Sequence, residues 1–482
     1  MVSVSRERWS REFREWFRDV IFRAGVYDYR YPIKGVGVWP PYGAKIRRKI
    51  ISLISKLLEE TGHDEVLFPL LIPEDILKKE SEHIAKFESE VYWVTRGGDE
   101  ELDRKLALRP TSETAIMEMF KLWIKAHTDL PIKIYQVVSV FRYETKATQP
   151  MIRVREVTTF KEAHTAHTTM EEAEKQVQIA IGIYKKFFNE LGIPYMISRR
   201  PEWDKFAGAI YTIAFDTLLP DGRVLQIGTV HNLGQNFSKA FEVKYLKPNG
   251  THEYVYTTSY GISERVVAAL IAIHGDDHGL VLPSYVAPVQ VVIIPITYRG
   301  YEEQVNHACR ELNEELYKAG IRVTYDERDD ITPGEKFYYW ELKGVPLRIE
   351  IGPKDLKEKV VTISRRDTLE RVKVRREIVV DTVFKLMREI DTNLRRRAWE
   401  WLRAREFKVT TIEEVNNIIE KGLGIALAPW CNDDECGQEM EEKVGGSILG
   451  IPLDRNASCN RGEKCINCGR RALTLVRIAK TY

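Results

Sequence analysis

The chain has 482 residues, 44% apolar and 10% aromatic, which is enough for two or three domains that each bury a core. Its 73 Lys and Arg against 71 Asp and Glu leave a net charge of +2, so a uniformly basic nucleic-acid coat is excluded and only local basic patches could meet an RNA. No window of about 18 apolar residues is present and the opening MVSVSRERWS lacks the apolar centre of a signal peptide, so the expectation is a cytoplasmic protein with no membrane partner.

Residues 6–24 set Trp9, Phe13, Trp16, Phe17 and Val20 at helical spacing, predicting an amphipathic helix that packs on the domain behind it. A second helical stretch from about Gly43 leads into GHDEVLFPLL at 62–71. Up to about Pro283, runs such as IYQVVSV (134–140), YTIAFDTLL (211–219) and VLQIGTV (224–230) alternate with helices such as 170–192, which predicts an antiparallel sheet with helices on it. The 134–140 strand delivers Arg142 and Glu144 to one face, a rigid fork of donors beside a group that only accepts. After a polar turn, Arg153 and Arg155 return on a second strand. Taken alone, these residues also fit an exposed hairpin with a solvated salt bridge.

Turn-forming residues at 282–284 and 287–288 mark a boundary. Beyond it VQVVIIPI (289–296), a helix over 301–320, IRVTYDE (321–327), a helix over 335–343 and PLRIEIG (346–352) predict a small β-α-β-α-β domain. Cys309 lies in a helical pattern and reads as a buried helix residue. The other five cysteines fall within 431–468 as Cys431-x4-Cys436, Cys459 and Cys465-x2-Cys468. Two close pairs across a loop suit a tetrahedral thiolate zinc site, which with four protein ligands is structural. Cys459 in place of Cys465 stays open as a ligand, and the competing redox pair at Cys465 and Cys468 lacks a thioredoxin-like context.

Three segments in order resemble the motifs that define class II aminoacyl-tRNA synthetases: GHDEVLFPLL with its proline, the strand–loop–strand of 141–160, and SYGISER (259–265) followed by VVAALIAI. RPTSE (109–113), KFAGA (205–209), GTVHNLGQNF (228–237), HGDDHGLVLP (274–283) and WELKGVP (340–346) are similar to prolyl-tRNA synthetases, a likeness running from about Trp16 onward. With no large insertion between Phe160 and Ser259 and with its cysteine-bearing tail, the chain resembles the archaeal and eukaryotic cytosolic branch without an inserted editing domain. The resemblance implies an α+β fold: a class II antiparallel-sheet catalytic domain over 1–286, an α/β anticodon-binding domain over 287–391 and a C-terminal zinc-binding α/β domain over 392–482. It implies activation of L-proline with ATP and Mg2+, transfer of proline to the 3′-terminal adenosine of tRNA(Pro), and a homodimer joined through the first motif. Neither chemical step needs a protein nucleophile; alignment and cations on the phosphates suffice.

For the ATP side the resemblance implies Arg142 at the α-phosphate and substrate carboxylate, Arg153 and Arg265 at the γ-phosphate of a bent ATP, and Glu144, Glu156 and Gln226 nearby. The family's adenine-stacking aromatic stands four residues after the loop arginine, where this chain has Val157; Phe160 follows three residues later. A bulge would bring Phe160 to the adenine; otherwise an aliphatic residue clamps the base and Phe160 belongs to the core. For proline, the resemblance implies Thr111 and Glu113 at the ammonium, where a charge-assisted hydrogen bond is worth about 1.5–3 kcal/mol. Arg142, His231, Thr229, Ser259 and Gly261 complete that pocket. His164 and His167 show no partner cluster for a metal and read as pocket or loop residues. The implied zinc ligands are Cys431, Cys436, Cys465 and Cys468. Lys336, Arg348, Glu350 and Lys354 are anticodon candidates that also read as ordinary charges on a sheet edge, and Thr481 and Tyr482 either fold back towards the active site or fray.

One methylene changes binding by only about 1–3 kcal/mol, so activation of alanine or cysteine is expected, with correction elsewhere. A catalytically silent tRNA-binding relative would lack Arg142, Glu113 or Arg265, and an adenylating enzyme with another acceptor would lack 287–350; all are present. A threonine or serine enzyme would carry a zinc-binding histidine and cysteine set in the catalytic core.

Overall fold

The computed structural model of the chain describes residues 5–79 and 88–482. Its central element is the antiparallel pair Ile132–Phe141 and Glu156–His167, running from Ile132 opposite Ala166 to Phe141 opposite Glu156. Tyr256–Ile262, Val224–Gly234, Tyr211–Leu218 and Met196–Arg199 follow as antiparallel neighbours, and short Asp64–Glu65 pairs in parallel at the other edge. Side chains alternate across this sheet. Tyr260 and Ile262 enter the main core with the helices Pro41–Glu59, Met170–Glu190 and Arg265–His274, while Ser259 and Gly261 face a cavity on the opposite side.

The predicted helix over 6–24 is two helices, Glu7–Arg11 and Phe13–Arg23, broken at Glu12, whose backbone leaves the helical region. The Asp277 carboxylate accepts the backbone N–H groups of Glu7 and Trp9, both at 2.9 Å, and so anchors the first helix separately. Trp9, Phe13, Trp16, Phe17 and Val20 are all buried as expected. The indoles of Trp9 and Trp16 donate to Ala272 and Asp276 carbonyls at the end of the Arg265–His274 helix.

The next domain holds a five-stranded sheet in the order Val323–Tyr325, Val291–Pro295, Leu347–Ile351, Val360–Arg365, Arg371–Arg375. The first three strands are parallel, as their alternation with helices predicts; the last two are an antiparallel hairpin that the sequence reading missed within a charge-rich stretch. The boundary expected at 391/392 falls inside the 25-residue helix Val379–Arg403, so no linker lies there. The tail buries a core of its own around Val415, Trp430, Met440 and Val476, and its strands join the catalytic sheet. Ser447–Pro452 pairs with Met196–Arg199, and Thr474–Ala479, Ile425–Trp430 and Glu406–Lys408 follow, extending the catalytic sheet to 11 strands. The last two residues are ordered: Thr481 bridges to Val224 and the Tyr482 hydroxyl donates to Asp221 at 2.6 Å. They dock on that turn and do not line the cavity.

Arg366 of the five-stranded domain makes a bidentate pair with Asp276, both N–O distances 2.6 Å, and donates to the Glu341 carbonyl at 2.9 Å. Both charged side chains are 2% exposed, so neither can fall back on water. Replacing Arg366 by Met leaves Asp276 buried without its hydrogen-bonded partner, only the more distant Arg6 and Arg397 still acting on it, and is expected to cost about 3 kcal/mol, seen as a lower denaturant midpoint. Adding Asp276→Leu should recover part of that loss, because the stranded charge is then gone.

Candidate active site

The sheet's open face carries a cavity of about 310 Å³. At one end Arg142, Arg153 and Arg265 converge with Glu144 and Glu264. Arg265 donates to the Ile152 carbonyl at 2.7 Å, and Arg153 lies 3.7 Å from Glu144. Burial, followed by repulsion from Arg142 and Arg153, pushes Arg265 down to about 10, so it stays cationic at neutral pH. Three guanidiniums in one desolvated cleft repel one another, so an anion placed among them is favoured.

At the other end lie Thr111, Glu113, Glu162, Thr229, His231 and Ser259. The Thr111 hydroxyl donates to Glu113, and Glu162 accepts from His164 Nε2 at 3.1 Å. Glu113, Glu162 and His164 offer atoms within 4.8 Å of one another, and the two carboxylates line the cavity, close enough to share one small cation such as an ammonium group. His231 is oriented by Thr212, 2.9 Å from its Nδ1, and packs on Phe206 with ring centres 4.5 Å apart. Ser259 Oγ is buried with no hydrogen-bond partner among the described residues. Arg142 stands between the two ends: it donates to the Pro110 carbonyl at 3.1 Å, and it feels Glu113 and Glu162 on one side and Glu144 on the other.

Of the residues expected on the ATP side, all but Glu156 line the cavity; Glu156 sits outside it, its carboxyl raised by burial. Val157 and Phe160 both reach the cavity, because the strand pair slips between Val138 and Val140 and sets Thr158 and Thr159 against the single Ser139. That bulge turns a three-residue spacing into one shared face. Glu264 serves the bulge: its Oε2 accepts the Thr158 N–H at 2.9 Å and hydroxyl at 2.8 Å, while Oε1 is buried without a partner among the described residues. Sequence reasoning missed Glu162 and Glu264. Glu162 was within reach, since it follows Phe160 by two on the same strand and so shares its face. His164 and His167 belong to that strand, not a loop, and neither lines the cavity; the expectation that His164 has no partner cluster is corrected by Glu113 and Glu162. Burial pushes His167 down to about 4, so it is neutral.

In the tail, Cys431, Cys436, Cys465 and Cys468 bring their sulfurs within 4.8 Å of one another, with the 436–465 and 431–468 pairs each at 3.7 Å, and Cys459 stays outside the group. Arg470 approaches Cys468 Sγ at 3.2 Å and Asn467 approaches Cys436 Sγ at 3.4 Å. In the five-stranded domain, Leu347–Ile351 is an inner strand, not an edge. Lys336 is buried and donates to the Asp326 carbonyl, and Glu350 is buried between Arg348 and Arg371. Arg348 also pairs with Glu341 at 2.6 Å, leaving Lys354, with 82% of its side chain exposed, as the surface charge among the four.

Burial pushes Glu264 up to about 7 despite its bonds to Thr158. The folded state therefore holds this proton more tightly than the unfolded chain, and the stability it contributes is complete below about pH 4.3 and lost as pH rises to about 7. Glu264→Gln is neutral throughout, so its Tm relative to wild type should climb by a few degrees between about pH 5 and pH 8. A difference that stays flat with pH would contradict the raised value.

Three family models match: the tRNA synthetase class II core domain (G, H, P, S and T) over 92–274, the anticodon binding domain over 290–386 and the prolyl-tRNA synthetase C-terminal domain over 412–482. The proline–tRNA ligases of Sulfurisphaera tokodaii and Metallosphaera sedula are each 56% identical to the chain, with both partners covered over 100% of their length. A solved structure, Giardia lamblia prolyl-tRNA synthetase in complex with prolyl-adenylate, superposes with a TM-score of 0.95 at 36% identity, covering 100% of both chains. The chain belongs to the proline–tRNA ligase family of class II aminoacyl-tRNA synthetases.

Proposed function

We infer that the chain activates L-proline with ATP to prolyl-adenylate and pyrophosphate and transfers proline to the 3′-terminal adenosine of tRNA(Pro). The observation that carries this reading is one cavity with an arginine cleft at one end and a carboxylate-lined cation pocket at the other, joined by Arg142. Thr111 and Glu113 hold the ammonium, and His231 and Thr229 border the ring. Arg142 steers the carboxylate to the α-phosphorus, while Arg153 and Arg265 hold the γ-phosphate and oppose charge building on the leaving pyrophosphate. Magnesium enters with ATP and neutralises its phosphates. Phe160 and Val157 form the adenine wall, with Gln226 and Glu144 beside it. The tRNA hydroxyl then attacks the adenylate carbonyl with no protein nucleophile.

The rest of the reading follows from the same assignment. The three-part division at 1–286, 287–391 and 392–482 describes function, with Lys354, Arg348, Glu350 and Lys336 facing or supporting the anticodon surface. Leu67, 82% exposed, with Leu70, Leu71, Leu122 and Trp123 forms an apolar surface that suits a second copy, making a homodimer through the first motif. Charging tRNA for translation places the protein in the cytoplasm. The four cysteines hold a structural zinc: a tetrahedron with bonds of about 2.3 Å has edges of about 3.8 Å, close to the sulfur spacing, which is far longer than a disulfide. Asn467 and Arg470 offset the thiolate charge.

Proline-dependent exchange of pyrophosphate into ATP is expected for the wild type and should fall at least about a hundredfold in Arg142→Ala. Alanine and cysteine should support exchange with kcat/KM lower by about 10–200-fold; rates at background for both would contradict a permissive pocket. Elemental analysis should find one zinc per chain. Chelation should lower Tm and zinc restore it, because the strands beside the cysteines continue the catalytic sheet.

A further inference from the structure

Behind the amino-acid end of the cavity runs a polar chain that the reaction above leaves unused. Gln136, fully buried in the Ile132–Phe141 strand, accepts the Phe68 N–H through Oε1 at 3.0 Å. Its Nε2 donates to Ser112 Oγ at 3.0 Å and to Glu162 Oε1 at 2.8 Å, and Ser112 Oγ donates to the same carboxylate oxygen at 2.5 Å. A backbone N–H can only donate, so Phe68 settles which way the carboxamide points. With His164 on its other oxygen, the Glu162 carboxylate has no freedom to turn. Phe68 is itself fixed from behind, since Arg109 donates to its carbonyl at 2.8 Å and to that of Pro69 at 3.3 Å.

We propose that Gln136 is a positioning residue for proline binding, holding the Glu162 carboxylate against the ammonium pocket and tying it to the 67–71 segment. The inference rests on the proline reading of this end of the cavity. Burial would raise the Glu162 carboxyl, but the hydrogen bonds from His164, Ser112 and Gln136 outweigh it and hold the group below the usual carboxylate range. The other charged groups facing Glu162 are Glu113, Arg142 and Arg109, with Lys161 on its own strand. A glutamine that only glued the 67–71 segment to the sheet would need neither the Ser112 nor the Glu162 bond.

Gln136→Leu keeps the side chain's size and removes all three bonds. In pyrophosphate exchange its KM for proline should rise at least about tenfold while KM for ATP stays within about twofold. The acidic limb of kcat/KM for proline should move to higher pH, because Glu162 has lost a donor that favours its ionised form. Gln136→Glu keeps the Phe68 bond but sets a second carboxyl against Glu162, and should move that limb further. Ser112→Ala removes a donor from the same carboxylate without touching Phe68; it should raise KM for proline alone, and it decides the matter if the variants at position 136 fail to fold. An unchanged KM for proline, or equal rises for proline and ATP with the acidic limb unmoved, overturns the inference. Wild type without proline-dependent exchange would instead overturn the reading of the pocket.

Discussion

Two threonines face one serine across the central strand pair, and the cavity depends on that extra residue. A bulge leaves backbone groups outside the ladder, and in a buried sheet they must be satisfied by something else. Here Glu264 takes the Thr158 N–H, and Arg47 donates to the Thr158 carbonyl at 2.9 Å and to the Thr159 hydroxyl. With those groups satisfied, Val157, Phe160 and Glu162 turn to the cavity together. Without the extra residue, Val157 and Phe160 would stand on opposite faces, and the wall of the cleft would lose one of them.

Charge buried at the cavity has counterparts elsewhere. The Arg265–His274 helix starts at the arginine cleft, and just past its end Asp276 meets Arg366 of the neighbouring domain. The same end receives the indoles of Trp9 and Trp16. One short helix, apolar between Arg265 and His274, therefore spans from the arginine cleft to the joint between domains. Arg477 plays a similar part on the opposite side, 2% exposed and bound to Asp454, Glu406 and the Ile197 carbonyl, where the tail's strands continue the catalytic sheet. Such pairs add little net stability over apolar packing, but each is costly to leave half-made, and so they favour one arrangement of the parts.

Much of the site is legible in the chain because its chemistry is local. Arg142 and Glu144 just after a β-branched run, Glu113 after Thr111, and paired cysteines across a loop need only short-range geometry to be recognised, and each lies where that geometry predicts. Other assignments failed for a common reason. Lys336 and Glu350 read as edge charges, yet the hairpin at 360–375 covers that edge and buries Glu350. Glu156 looked available for ATP, but it precedes the bulge and lies outside the cavity. The break at Glu12 depends on Asp277, more than 260 residues away.

The sequence by itself determined most element types and the family, because hydrophobic period and residue chemistry are properties of short segments. The tertiary structure alone decided which carboxylates meet. It brought Glu162 to Glu113, chose Cys465 over Cys459 for the four-sulfur group, and merged the tail's strands into the catalytic sheet. Those outcomes rest on contacts between residues distant in the chain, whose distances are set by packing and by strand register, and neither is written in any single segment.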